Sequence, residues 1–147
     1  MAGKERRQGL FSRSEMTTLL RNRTRTRNRV VIGLNDTVFA AWVARRLRRL
    51  GWGVHLARSA GEVRQLTNEF SPQVVVLETR LPDETGWLAC EKILRDDPTI
   101  KVVLVASERN GNGQAFAEFV GAAALISQEH GVQALIDQIV ETSPSIL

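Results

Sequence analysis

The residue of this chain best placed to do chemistry is Glu78, a carboxylate that ends an apolar segment. Val74–Glu78 reads Val-Val-Val-Leu-Glu, which is typical of a strand buried on both faces. The functional crevices of doubly wound α/β proteins lie at the carboxyl ends of the central strands. Glu78 therefore stands in the predicted crevice of such a sheet.

Other reactive residue types are scarce. Cys90 is the single cysteine, which excludes an internal disulfide, and its place in the apolar half of a helical pattern predicts a small buried hydrophobe rather than a nucleophile. His55 and His130 are the two histidines, and no Cys/His cluster has the spacing of a zinc site. The sequence therefore offers no catalytic residue and no zinc site.

The elements that must position Glu78 alternate between strands and helices along the chain. Apolar runs predict five strands, at 30–34, 53–57, 73–78, 101–106 and 122–126. A helical pattern follows each strand, and continuous Val, Ile and Leu runs indicate parallel strands covered on both faces by crossover helices. Five such β/α units predict an α/β fold of the flavodoxin-like, doubly wound type with strand order 2-1-3-4-5.

Helical periodicity predicts which side chains face the core. Asp36 and Ser59 are the expected N-caps of the first two helices, and the third helix is expected over 85–96. The predicted inward positions of the five helices are Phe39, Val43, Leu47 and Leu50; Val63, Leu66 and Phe70; Leu88, Ile93 and Leu94; Phe116, Phe119 and Val120; and Val132, Leu135, Ile136, Ile139 and Val140.

Charge is divided unevenly along the 147 residues. Residues 1–29 carry nine basic and two acidic side chains, a net +7, so the total of +4 leaves −3 for the remainder. Arginine alternates with small polar residues in the candidates for polyanion binding, Arg21, Arg23, Arg25, Arg27 and Arg29. This run has no apolar face to bury. Residues 1–28 are therefore predicted to be a basic, disordered and flexible extension of a domain at 29–143, with a short C-terminal tail at 144–147.

Composition also bears on the compartment. The apolar runs are of strand length, well short of the ~20 residues that a membrane span needs, and the N-terminus has no apolar region typical of a secretory signal. A single cysteine fits a reducing environment. The expected location is the cytoplasm, without a membrane span.

The residues around Glu78 resemble the phosphoacceptor strand and loop of the receiver domains of bacterial response regulators. In that family an apolar strand ends at an Asp, three residues lead to a Pro, and a Gly follows four residues later. Glu78, Pro82 and Gly86 have this spacing here. Further framework matches are Gly51 after the first helix and Gly121-Ala122 before the fifth strand. The resemblance covers residues 29–142 and implies docking of protein partners through the helix 4–strand 5–helix 5 surface.

The positions that carry the family's chemistry hold other residue types in this chain. By the resemblance, they are Glu78 for the acceptor Asp, Leu34 and Asn35 for the acidic pair that binds Mg²⁺, Asp36 for a third and often acidic position, Ala106 for a Ser or Thr, Gln128 for a Lys, and Leu125 for an aromatic switch residue. The hydroxyl and the ammonium group that would bind a phosphoryl group are absent. The resemblance thus implies a degenerate pseudo-receiver that keeps the fold, has lost phosphoryl transfer, and uses no cofactor, so Mg²⁺ binding is not expected.

Two acidic residues have alternative interpretations. Asp36 could cap the first helix or act as a metal ligand, and the cap is favoured. Glu78 could be a bystander that is tolerated because it reaches water, or a constitutive mimic of an aspartyl phosphate. One carboxylate copies the charge and three oxygens of a phosphoryl group poorly, so the bystander interpretation is favoured.

The leading hypothesis is a non-catalytic receiver-like module that acts by protein–protein interaction in signal transduction, without phosphorylation. Trp42, Trp52 and Trp87 are candidate anchors for a protein partner. A second hypothesis is binding of nucleic acid or another anionic surface through the Arg-rich extension. An arginine cluster in the first helix is more typical of a solvated face than of a binding patch; its members are Arg45, Arg46, Arg48 and Arg49. A third hypothesis is an active phosphoreceiver in a two-component phosphorelay.

Overall fold

A parallel five-stranded sheet forms the centre of the protein. The computed structural model describes residues 12–13, 28–106 and 113–144. The strands are β1 (Arg29–Gly33), β2 (Gly53–Ala57), β3 (Val74–Glu78), β4 (Lys101–Ala106) and β5 (Ala124–Ser127). They lie in the order β2-β1-β3-β4-β5, which confirms the predicted flavodoxin-like topology.

Five helices follow the strands in turn. They are α1 (Thr37–Arg49), α2 (Ala60–Phe70), α3 (Gly86–Asp96), α4 (Gly113–Phe119) and α5 (Gly131–Thr142), and a 3₁₀ turn at Gln128–His130 precedes α5. No helix within the described ranges is long and apolar enough to cross a membrane. The extension predicted at 1–28 lies outside the described residues except for Ser12, Arg13 and Asn28, and so does the C-terminal tail beyond Pro144.

The first three helices begin at local capping signals. Asp36 Oδ1 accepts a hydrogen bond from the Phe39 N–H at 3.0 Å, and Ser59 Oγ accepts one from the Glu62 N–H at 3.1 Å. Both predicted N-caps are therefore confirmed. Thr85 caps α3 in the same way, so this helix begins at Gly86, one residue later than expected.

The boundaries of three strands differ from the prediction by one or two residues, and the start of β5 shows the reason most clearly. Gly121 has φ +85°, and the Ala122 N–H donates to the Ala117 carbonyl at 2.9 Å, so these residues close the C-terminal turn of α4. Pairing with β4 therefore begins at Ala124 rather than at residue 122. β1 likewise begins and ends one residue earlier than expected, and β3 begins one residue later.

Two apolar layers cover the sheet. Val30 and Ile32 of β1 pack with α1 and α5, whereas the alternate residue Val31 packs with α2, α3 and α4. All five residues of β3 are buried, because helices enclose both faces of this strand. Glu78 is therefore held at the end of a fully enclosed strand.

Several side chains predicted to face the core are exposed instead. Leu50 is 62% exposed, because α1 ends at Arg49 and Leu50 is its C-cap. Phe119 is 85% exposed, because α4 has only seven residues and buries the small residues Gly113 and Ala117. The other exposed members of the predicted set are Leu88, Phe116 and Val140.

Cys90 is an inert core residue, as predicted. It lies on the inward face of α3 and is completely buried. Burial raises the pKa of its thiol to about 12, so the nucleophilic thiolate is not populated near neutral pH.

Candidate functional site

The carboxylate of Glu78 is enclosed and hydrogen-bonded at the carboxyl end of β3. Glu78 is only 4% exposed. The main-chain N–H of Asn35 donates to Glu78 Oε1 at 3.1 Å, and Asn35 Nδ2 donates to Glu78 Oε2 at 2.6 Å. We call these two bonds the Asn35–Glu78 clasp. Its burial contradicts the interpretation that Glu78 is tolerated because it reaches water.

Asn35 joins three segments of the chain at this edge of the sheet. It follows β1, and its Nδ2 donates not only to Glu78 but also to the carbonyl of Arg80, at 2.5 Å, in the loop after β3. A hydrogen bond to a charged group contributes about 1.5–3 kcal/mol. The clasp therefore fixes the β1–α1 turn against the end of β3.

Leu34 and Asp36, on either side of Asn35, have structural roles. Leu34 is 3% exposed and packs in the core layer of α1 and α5, so it offers no ligand to the site. Asp36 uses one oxygen to cap α1 and the other to accept from Gln128 Nε2 at 3.2 Å. The cap interpretation of Asp36 is therefore confirmed, and its second bond reaches the turn after β5.

Ala106 and Leu125 complete the predicted set of positions. Ala106 ends β4 beside Ser127 of β5 and carries only a methyl group. Leu125 is half-buried in β5 and packs in the layer of α2, α3 and α4. A Cβ atom added to Gly113 would come within 2.8 Å of Leu125 Cδ2, so the first residue of α4 lies directly against this side chain.

The loop between β3 and α3 folds back on the end of β3. The Thr79 N–H donates to the Val105 carbonyl at 2.9 Å, and the Gly86 N–H donates to the Thr79 carbonyl at 3.0 Å. A Cβ atom at Gly86 would lie 2.1 Å from the carbonyl oxygen of Glu78. Only glycine allows this approach, which gives a steric reason for the Gly86 of the framework.

Comparison with known proteins agrees with this geometry. The sequence profile described as the response regulator receiver domain matches residues 30–140. The chain belongs to this family. A comparison with curated protein sequences gave no match.

Solved structures show that the receiver domain has relatives of the same fold. A CheY-like receiver domain protein from Methanospirillum hungatei JF-1 superposes with a TM-score of 0.73 at 24% identity, over 78% of this chain and 92% of that chain. The BeF3-activated N-terminal receiver domain of Klebsiella pneumoniae RstA has a TM-score of 0.71 at 19% identity, over 78% and 97%. The chemotaxis protein CheY4 of Vibrio cholerae has a TM-score of 0.73 at 14% identity, over 79% and 98%.

The structure brings the predicted site positions together only in pairs, Asn35 with Glu78 and Asp36 with Gln128. Leu34 and Leu125 pack in opposite core layers. Within the described residues, no group of three or more His, Cys, Asp or Glu side chains could hold a metal ion. By the resemblance, Asn35 stands at one of the two acidic positions that bind Mg²⁺ in the family. The structure shows that its side chain instead binds Glu78, a contact that was not expected from the sequence. The sequence did contain a signal for this contact. Glu78 has one methylene more than the Asp of the family, so its carboxylate extends farther, and Asn35 has a side-chain amide that can donate to it.

The predicted partner-binding residues have different environments in the receiver domain. Trp42 is 51% exposed on α1, Trp52 is buried, and Trp87 is half-buried with its ring 4.8 Å from that of Phe116. Of the five polyanion-binding candidates, Arg29 alone lies within the described residues, at the start of β1. The alternating arginines before it lie outside them.

Asp83 is a further positioning residue that sequence reasoning missed. Its two oxygens accept from the N–H groups of Ala60 at 2.8 Å and Gly61 at 2.9 Å, at the start of α2. The main-chain N–H groups of Gly61 and Ala60 lower the pKa of Asp83 below its usual value. No local pattern could reveal this contact, because the partners lie 23 and 22 residues away.

We expect Asp83→Asn to lower the Tm of the receiver domain at neutral pH. A carboxylate whose pKa is lowered in the folded state stabilises it above the unfolded pKa, and this contribution disappears as pH falls through the folded pKa. The difference in Tm between the variant and the wild type should therefore vanish in acid. Asp137→Asn is the matched control, because Asp137 is exposed and its bonded partner is the Gln133 side chain. A pH-independent difference, or an equal effect of the control, would contradict the prediction.

Proposed function

We propose that this receiver domain is a non-catalytic protein-interaction module of signal transduction that works without receiving a phosphoryl group. The observation that carries the proposal is the Asn35–Glu78 clasp. It occupies the acceptor position with a carboxylate that is already hydrogen-bonded inside the protein.

The first support comes from the acceptor group. Phosphoryl transfer to a carboxylate requires that one of its oxygens reach the phosphorus atom in line with the leaving group. Glu78 is 4% exposed, and each of its oxygens accepts a bond from Asn35. An attack by Glu78 would have to break the clasp and open the enclosed end of β3.

The second support comes from the groups that would neutralise the transferred charge. A phosphoryl group carries about −1.5 to −2 charge at neutral pH. Gln128, at the position that the family fills with Lys, is uncharged and bonds Asp36. Ala106 has no hydroxyl, and Leu34 is packed in the core. These residues provide no cation and no hydroxyl to bind an added phosphoryl group.

A receiver of this kind would keep the same partner-binding surface at all times, without a change on phosphorylation. The clasp ties β1 to β3 with groups that are always present, so this edge of the sheet needs no transferred group to hold its arrangement. The proposed contact surface for a protein partner includes α4, whose Phe116 and Phe119 side chains are exposed and lie with ring centres 6.2 Å apart. Exposed aromatic side chains are typical anchors of protein interfaces.

The direct test is incubation of the full chain with acetyl phosphate and Mg²⁺, followed by intact-mass measurement. We expect no stoichiometric gain of a phosphoryl group, because the acceptor oxygens are bonded and the metal ligands are missing. Glu78→Gln, treated identically, is the matched control, since it removes the acceptor oxygen. A gain of one phosphoryl group in the wild type that is lost in Glu78→Gln would support an active phosphoreceiver instead.

A further inference from the structure

A second concave region lies at the opposite end of the sheet from Glu78. It is a cavity of about 480 Å³ at the amino ends of β1 and β2. Three of its lining side chains are basic and come from β1, α1 and β2: Arg29, Arg48 and His55. Together with Phe70, which also lines it, these residues define what we call the basic pocket.

Main-chain contacts fix both arginines of the basic pocket. Arg29 Nη1 donates to the Phe70 carbonyl at 3.1 Å, and Arg48 Nη2 donates to the Val54 carbonyl at 3.0 Å. A guanidinium has five N–H donors, so each arginine is oriented by one bond and retains donors for a ligand.

Among the residues that the structure describes, no ion pair neutralises the arginines of the basic pocket. Within the described ranges, neither Arg29 nor Arg48 lies within salt-bridge distance of a carboxylate. The environment of His55 reflects this excess charge. Burial lowers the pKa of His55 most, Arg29 and Arg48 lower it further, and Glu69 of α2 opposes them. The pocket therefore has the electrostatic character of an anion-binding site.

An aromatic surface accompanies the positive charge. The rings of His55 and Phe70 stack with their centres 3.7 Å apart and their planes 14° apart. Aromatic rings beside a basic groove are the usual means of binding single-stranded nucleic acid, because bases stack on rings while cations contact the backbone.

We propose that the basic pocket binds the phosphate backbone of single-stranded nucleic acid. The distribution of arginine along the sequence favours a ligand with many phosphate groups over a ligand with one. Arg21, Arg23, Arg25 and Arg27 directly precede Arg29, so the positive charge of the pocket continues along the sequence. A repeating phosphate backbone suits a chain whose sequence carries so much positive charge, whereas one phosphorylated side chain offers a single anion. The site is separate from the Glu78 region and goes beyond the proposed function.

The test measures fluorescence anisotropy of the full chain with a labelled single-stranded DNA of about 20 nucleotides, longer than the usual site of ~4–16 nucleotides. We expect the double variant Arg29→Gln/Arg48→Gln to bind at least tenfold more weakly than the wild type. The dependence of log K on log salt should lose about 1.4 of its slope, which corresponds to about 0.7 for each lost phosphate contact.

Two control variants decide between the outcomes. Arg45→Gln/Arg49→Gln removes the same charge from exposed positions of α1 and should change affinity less than twofold. Arg29→Lys/Arg48→Lys keeps the charge and should retain most of the binding. Unchanged DNA affinity in the Gln double variant would overturn the proposal. The proposal would also be overturned if this variant lost binding to anionic lipid vesicles while its DNA binding stayed intact.

A measurement on the wild type covers the case in which the double variant does not fold. The imidazole NMR signals of His55 should shift when DNA is added, and the signals of His130 should not. Affinity should also rise as pH falls from about 8 to about 5.5, because protonation of His55 adds a third positive charge. The nearby Arg29 and Arg48 oppose this protonation, and Glu69 favours it. Absence of a His55 shift at saturating DNA would overturn the proposal.

Discussion

Gly86→Ala should cost the receiver domain at least about 3 kcal/mol of stability, or prevent it from folding. An added Cβ would lie 2.1 Å from the Glu78 carbonyl oxygen and 2.9 Å from its carbonyl carbon. Both are main-chain atoms of an enclosed strand, so they cannot rotate away as a side chain would. Overpacking of a well-packed core commonly costs about 1–3 kcal/mol of stability. A steric clash with main-chain atoms should cost at least the upper value of this range.

The measurement is chemical denaturation of Gly86→Ala beside the wild type, with Gly131→Ala as the matched control. Gly131 is likewise the first residue of a helix and has φ +91°, but a Cβ there would meet nothing within 4 Å. Its substitution should cost only the strain of a positive-φ backbone (φ +91°, ψ 175°) that is essentially confined to glycine, about 1–3 kcal/mol. If Gly86→Ala were no more destabilising than this control, the close approach of the loop to β3 would be wrong.

Asn35→Asp should destabilise the protein by about 3 kcal/mol at neutral pH, because it replaces the clasp with a repulsive pair of carboxylates. Asn35 Nδ2 lies 2.6 Å from Glu78 Oε2, so the substituted oxygen would face an enclosed oxygen of the same charge. Loss of a hydrogen bond to a charged group costs about 1.5–3 kcal/mol, and like-charge repulsion adds to it.

Asn35→Asp also tests whether this end of the sheet can bind Mg²⁺. The introduced carboxylate and that of Glu78 would together offer Mg²⁺ two ligands at the end of the sheet, so millimolar Mg²⁺ should raise the Tm of the variant and leave the wild type unchanged. Asn68→Asp adds the same charge at an exposed position of α2 and should not respond to Mg²⁺ in this way. Wild-type stability of Asn35→Asp at neutral pH would contradict the clasp.

Local sequence determined much of the fold. The continuous apolar runs of β3 and β4 mark strands enclosed on both faces, and Asp36 and Ser59 mark helix starts, because both signals act within a few residues. The errors arose where a competing local interaction decided the outcome. Ala122 continues an apolar run, yet its N–H closes the turn of α4 and is not available for strand pairing.

Sequence also determined which chemical groups the receiver positions contain. Leu34 and Ala106 have no ligand atoms in their side chains, and Gln128 has no charge, whatever their surroundings. Only the tertiary structure decided what these positions do instead. Leu34 packs in the core, and Gln128 donates a hydrogen bond to Asp36. Asn35 donates a hydrogen bond to the buried carboxylate of Glu78.

The contacts that sequence could not give join residues far apart in the chain. Asn35 and Glu78 are 43 residues apart, and Asp83 reaches Ala60 across 23 residues. Arg29, Arg48 and His55 likewise belong to three different elements. Periodicity fixes which face of an element is buried, because that depends on near neighbours. Which side chains meet depends on strand order, which brings the ends of parallel strands together only after the sheet has formed.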